Sequence, residues 1–78
     1  MKATVIYTQP NCKKSEQAKK ILTSKNIRFI EKDVSEVQTK REMIERTGGR
    51  PLTPQIFING KHIGSFEDLL DVDIINDA

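Results

Sequence analysis

The stretch that most constrains this chain is the handover Tyr7-Thr8-Gln9-Pro10-Asn11-Cys12-Lys13-Lys14-Ser15. Before it runs Ala3-Thr4-Val5-Ile6-Tyr7, a near-continuous apolar segment of the kind that suits a central strand covered on both faces. After it, Ser15 to Lys25 places Ala18, Ile21 and Leu22 at i, i+3 and i+4. Glu16, Gln17, Lys19 and Lys20 turn outward, which is the pattern of an amphipathic helix of about three turns. A strand feeding a helix returns by a right-handed crossover, which sets a parallel partner beside the first strand. Cys12 thus falls at a helix start, where unpaired N–H groups and the macrodipole present positive charge. Lys13 and Lys14 add two formal charges of the same sign. Together these favour the thiolate, the reactive form of cysteine.

The remaining chain continues the alternation. Asn26 is placed to end the first helix in a left-handed conformation. Ile27 to Val34 reads as a second strand, with Ile27, Phe29 and Val34 inward. Ser35-Glu36-Val37-Gln38 fits a capping box, opening a helix to about Arg46 with Val37, Met43 and Ile44 on its buried side. Thr47-Gly48-Gly49 stops that helix. Gln55 to Ile58 is strand-like, Asn59-Gly60 is a strong hairpin signal, and Lys61 to Gly64 returns. Ser65, Glu67 and Asp68 supply a capping hydroxyl and two acids to a last helix, packed through Phe66, Leu69, Leu70 and Val72 and fraying after Ile75. The predicted fold is α/β, in the order β-α-β-α-β-β-α: a mixed four-stranded sheet with helices on both faces, in one domain over 1–78.

Composition removes several function classes. At 36% hydrophobic and 31% charged residues, the chain has an ordinary globular balance rather than a disordered one. No apolar run approaches the roughly 20 residues needed to span a bilayer, and no signal-peptide core follows Met1-Lys2. One cysteine forms no internal disulfide, so a reducing cytoplasm is the expected compartment. A net charge of +2 with few aromatics and no recognised motif argues against nucleic acid as a partner. His62 has no second Cys or His near it in sequence, so it reads as a surface residue and no metal site is expected.

The motifs resemble those of the glutaredoxins, small members of the thioredoxin-fold proteins. The resemblance covers nearly the whole chain. It rests on Thr8-x-x-x-Cys12-x-x-Ser15, Thr47-Gly48-Gly49-Arg50, Thr53-Pro54-Gln55-Ile56-Phe57-Ile58-Asn59-Gly60 and His62-Ile63-Gly64-Ser65-Phe66-Glu67-Asp68-Leu69. The resemblance implies a thioredoxin-like fold, Cys12 as nucleophile, and Pro54 as a cis-proline, a bond type available at low cost only before proline. It implies glutathione as co-substrate, with the Thr53 backbone pairing its peptide and Phe66 and Glu67 holding its γ-glutamyl end. The implied partners are glutathionylated proteins or small disulfides, met by a monomer free of membrane.

The departures from the family pattern matter as much. The usual Cys-Pro-Tyr-Cys is here Cys12-Lys13-Lys14-Ser15, so no intramolecular disulfide can form. Gln9 stands where many members carry a lysine that meets the glycyl carboxylate of glutathione, and Lys14 is a candidate replacement for it. Lys13 and Lys14 are read either as thiolate-stabilising charges or as ordinary surface lysines. Ser15 is read either as a donor to the Cys12 sulfur or as a polar residue of the first helical turn. Serine at 15 is compatible with a monothiol reduction of glutathione mixed disulfides, and equally with a Cys-to-Ser variant of a dithiol member. A different class remains open: an iron–sulfur carrier in which two copies and two glutathiones supply four thiolates. The other monothiol pattern, Cys-Gly-Phe-Ser, belongs to that branch, and its Gly-Phe is absent here.

Overall fold

A computed structural model describes residues 3–71. Its elements are β1 (Val5–Thr8), α1 (Lys13–Ser24), β2 (Ile30–Asp33), α2 (Val37–Arg46), β3 (Gln55–Ile58), β4 (Lys61–Gly64) and α3 (Phe66–Leu70). The sheet order is β2-β1-β3-β4. β1 runs parallel to β2 and antiparallel to β3, and β3 and β4 form an antiparallel hairpin. This is the thioredoxin-like arrangement that the sequence predicts.

The core follows from strand alternation on β1, whose four residues are all buried. Successive side chains point to opposite faces. Val5 and Tyr7 therefore join Val34, Met43 and Phe57 on the α2 side. Ile6 joins Ala18, Leu22, Ile56 and Leu69 on the side of α1 and α3. Each fully buried aliphatic side chain of this kind contributes about 1.5–3 kcal/mol. A strand with two covered faces is held from both sides, and the loop that follows it inherits that fixed position.

The chain punctuation is chemical. Asn26 is left-handed at φ 59. It lets the Ile27 N–H reach the Leu22 carbonyl at 2.9 Å and its own N–H reach that of Thr23 at 3.0 Å, the paired bonds of a Schellman ending. The Gly49 N–H closes α2 in the same way on the Ile44 carbonyl at 2.8 Å. Asn59 (φ 52) and Gly60 (φ 83) are both left-handed, as a type I′ hairpin turn requires.

Several expectations need correction. The second strand spans Ile30–Asp33 rather than starting at Ile27, because the Ile27 N–H is spent on the α1 ending. Ile27 and Phe29 still pack, partly buried, against the second cluster. The capping box at Ser35 does not form. Asp33 Oδ1 accepts the Ser35 N–H at 2.8 Å, an Asx turn that moves the start of α2 to Glu36, which makes no side-chain cap. Val37, the first residue of α2, is 68% exposed rather than buried, and Met43 supplies the buried contact of that helix. Leu69 is buried, but Leu70 is 58% exposed, one position round the helix. Val72 and Ile75 lie outside the described residues. His62 is not a simple surface residue: it stacks on Phe57 at 4.8 Å and its Nε2 lies 2.8 Å from Gln55 Oε1.

Candidate active site

β1 delivers the chain to a tight turn in which Asn11 is left-handed at φ 63, a conformation asparagine tolerates better than most residues. The Cys12 N–H bonds back to the Gln9 carbonyl at 3.3 Å, and the Cys12 carbonyl accepts the Glu16 N–H at 3.1 Å. Cys12 is thereby the N-cap of α1, with extended backbone at φ −95, ψ 112. Its thiol is free and half-buried.

The opposite wall is the loop before β3. Thr53-Pro54 is a cis peptide, as the resemblance implies, and Pro54 is fully buried. Thr53 Oγ1 lies 3.9 Å from Cys12 Sγ and 3.5 Å from Gln9 Oε1. Its one proton is shared between amide and sulfur, so Gln9 competes with the thiolate for the same donor. Gln55, 2% exposed, fixes this loop from behind. Its Nε2 donates to the Leu52 carbonyl at 3.0 Å, while its Oε1 meets His62. Sequence reading passes over Gln55 and His62 as supports. A glutamine opening an otherwise apolar strand is the available signal, because a buried amide must find partners.

Ser15 is 1% exposed, and its hydroxyl makes no hydrogen bond of ordinary geometry. Burial pushes the Cys12 thiol upward. The Ser15 hydroxyl and N–H, the Thr53 hydroxyl and the Lys14 N–H pull it down further, leaving it below the ordinary thiol value. None of the N–H groups closes into a full cap bond, so the effect is a charge–dipole attraction at a helix start. Ser15 is the third residue of α1, in the first helical turn, and its hydroxyl makes no hydrogen bond to the Cys12 sulfur.

The third side is the start of α3. The Ser65 N–H donates to Asp68 Oδ2 at 2.9 Å, and the Ser65 hydroxyl donates to Glu67 Oε2 at 3.2 Å. Lys14 reaches across to Glu67 as an ion pair. The Glu67 side chain raises the Lys14 pKa, and Lys14 in turn holds the Glu67 carboxyl below its usual range. Lys14 is thus paired chiefly with Glu67, and its attraction to Cys12 is the smaller effect. Lys13 is exposed, and Phe66 is half-buried against the second cluster. The structure therefore brings Gln9, Cys12, Ser15, Thr53 and Pro54 together. It joins Lys14 to Glu67 beside them and leaves Lys13 at the rim.

Among the described residues, no group of three or more His, Cys, Asp and Glu is placed to hold a metal ion. No described helix is long and apolar enough to cross a membrane.

The family model described as Glutaredoxin matches residues 4–63. The chain is 40% identical over 68 residues to Glutaredoxin 3 of Escherichia coli K12, covering 87% of this chain and 82% of that protein. The solution structure of glutaredoxin from Brucella melitensis is similar with a TM-score of 0.74 at 39% identity, over 91% of this chain and 77% of that one. The crystal structure of a buckwheat glutaredoxin–glutathione complex shares the fold, with a TM-score of 0.77 at 22% identity over 88% and 66% of the two chains.

Proposed function

The chain belongs to the glutaredoxin family, and from that premise we propose that it reduces glutathione mixed disulfides by a monothiol route with Cys12 as nucleophile. The Cys12 thiolate attacks the glutathione sulfur of the mixed disulfide. A Cys12–glutathione disulfide forms, the original S–S bond breaks, and the partner leaves as a thiolate that takes a proton from solvent. A second glutathione, as thiolate, attacks the glutathione sulfur on Cys12. Oxidised glutathione leaves, and the Cys12 thiolate returns. Net, the mixed disulfide and one free glutathione thiol become the reduced partner and oxidised glutathione, and neither step uses a second protein thiol. Serine at 15 is compatible with this route and offers no resolving sulfur for a two-cysteine one.

The observation that carries this reading is the placement of a half-buried thiol at the start of α1, with the Thr53 hydroxyl 3.9 Å from its sulfur and its pKa held below the ordinary thiol value. A thiolate near neutral pH attacks readily and is also a better leaving group when glutathione attacks. In the proposed pocket the Thr53 backbone pairs with the glutathione peptide beside Pro54. Gln9 faces the glycyl end, and Phe66 and Glu67 hold the γ-glutamyl end, with Glu67 on its ammonium. Lys14, standing in for the lysine absent at position 9, serves a glutathione carboxylate. The proposed setting is a cytoplasmic monomer acting on glutathionylated proteins or small disulfides.

Steady-state turnover of a glutathionylated peptide with glutathione tests the proposal. Turnover is expected in the wild type and loss to background in Cys12→Ser; no turnover in either refutes it. The iron–sulfur carrier reading has less support here. Two long cations follow Cys12 where a shared cluster would sit, and one of them is drawn across the mouth to Glu67. A brown, visibly absorbing dimer after anaerobic reconstitution with iron and sulfide would favour that reading.

A further inference from the structure

Lys14 and Glu67 are 53 positions apart, yet their side chains join the first turn of α1 to the first turn of α3. Among the described residues, the other ion pairs, Lys19 with Glu16 and Glu31 and Lys32 with Glu42, lie elsewhere. The two partners differ in freedom. Glu67 is steadied by the Ser65 hydroxyl at 3.2 Å, whereas Lys14 is a point charge on a flexible four-carbon stem. Both side chains are more than half exposed, at 58% and 56%, so the ammonium can leave the carboxylate without disturbing packed structure.

Lys14 also stands two residues after Cys12, and attraction between the two is the smallest of the effects acting on the lysine. The other charged groups on the bordering elements are accounted for. Glu16 pairs with Lys19 at 3.1 Å, and Asp68 is committed to the Ser65 N–H. Lys13 is exposed at the rim, and Arg50 lies in the loop before Pro54. Lys14 is therefore the cation whose distance from the sulfur depends on a competing carboxylate.

We propose that in the ligand-free protein Glu67 restrains Cys12 indirectly, by holding the Lys14 ammonium away from the sulfur. Glu67 is then a positioning residue for Lys14 as well as a proposed ligand contact. An empty site carries a less activated thiolate than one in which Glu67 has been taken by another ammonium. This rests on the reading of Cys12 as the reacting group. The experiment below uses no glutathione, so its failure is distinct from a failure of the turnover assay.

The test is the pH dependence of Cys12 alkylation by iodoacetamide in low salt, in wild type, Glu67→Gln, Lys14→Gln and the double variant. Glu67→Gln is expected to speed alkylation at pH values below the thiol midpoint by about two- to threefold, a modest effect as befits an exposed pair. Raising the salt should shrink the difference. In the Lys14→Gln background the same Glu67 substitution should have no effect. An unchanged rate in Glu67→Gln overturns the proposal. So does an equal acceleration with and without Lys14, because that would make Glu67 a direct repulsive charge on the sulfur.

Discussion

Replacing Gly64 by alanine should unseat the start of α3 and cost a large part of the protein's stability. Gly64 ends β4 at φ +120, a region that residues with a Cβ rarely adopt and that costs them about 1–3 kcal/mol. A Cβ there would stand 2.2 Å from Asp68 Oδ2 and 2.9 Å from its Cγ. Asp68 would have to swing away and release the Ser65 N–H that it accepts at 2.9 Å, a lost cap worth about 0.5–2 kcal/mol. The sum is about 1.5–5 kcal/mol. At roughly 0.05–0.15 kcal/mol per residue a chain of this length has about 4–12 kcal/mol in all. Urea unfolding of Gly64→Ala, Asp68→Ala and the double variant, followed by circular dichroism, measures each part. With the carboxylate gone the collisions with Oδ2 and Cγ disappear, leaving backbone strain and a close approach of 3.1 Å to the Cβ of residue 68. The double variant should therefore cost at least 0.5 kcal/mol less than the sum of the singles, beyond the ordinary scatter of additivity. A Gly64→Ala cost below about 0.5 kcal/mol, or singles that simply add, would refute the reasoning.

Ser15→Ala removes a hydroxyl that lowers the Cys12 pKa, so alkylation below the thiol midpoint should slow by about two- to fivefold; an unchanged pH profile would leave Ser15 a packing residue only. Tyr7→Phe deletes the hydroxyl that accepts from Arg46 at 2.8 Å and donates to Glu42, and should cost about 1–3 kcal/mol in urea unfolding because the arginine and carboxylate lose a shared partner. Acid should weaken the fold in a defined window. The Thr8 hydroxyl, then Lys19, holds the Glu31 carboxyl below its ordinary value, and Lys32, then the Tyr7 hydroxyl, does the same for Glu42. A depressed folded pKa means stability present above the unfolded value of about 4.3 and lost as the pH falls through the folded one. The urea midpoint should drop between pH 5 and pH 3, and Glu31→Gln should flatten that drop.

Much of this was legible because local chemistry and burial agree. The apolar run ending at Tyr7 forms a strand buried on every residue, and the Asn59-Gly60 turn specifies its own hairpin. Asn26 and Thr47-Gly48-Gly49 end helices as their side chains or lack of them dictate. The misread places are those where two local signals compete. Ser35 carries a good capping side chain, but Asp33 reaches the backbone first. Ile27 is apolar enough for a strand, but its N–H is already used by the preceding helix. At the site, the motifs pointed to Cys12, Ser15, Thr53 and Pro54, and the structure gathers them. The Gln55–His62 support and the Lys14–Glu67 pair were not legible as contacts, because each joins residues whose pairing depends on how whole elements pack. Lysines in a first helical turn look like thiolate activators in sequence, and only the fold reveals a carboxylate holding one of them elsewhere.

The central claim is that Cys12 is an activated thiol that carries glutathione as a disulfide. Intact-protein mass spectrometry after brief exposure to oxidised glutathione at pH 7 tests it most directly. The expected result is one adduct of glutathione mass, mapped to Cys12 by peptide digestion, reversed by free glutathione and absent in Cys12→Ser. A protein that stays unmodified at pH 7 would contradict the claim, as would one that forms an adduct free glutathione cannot remove.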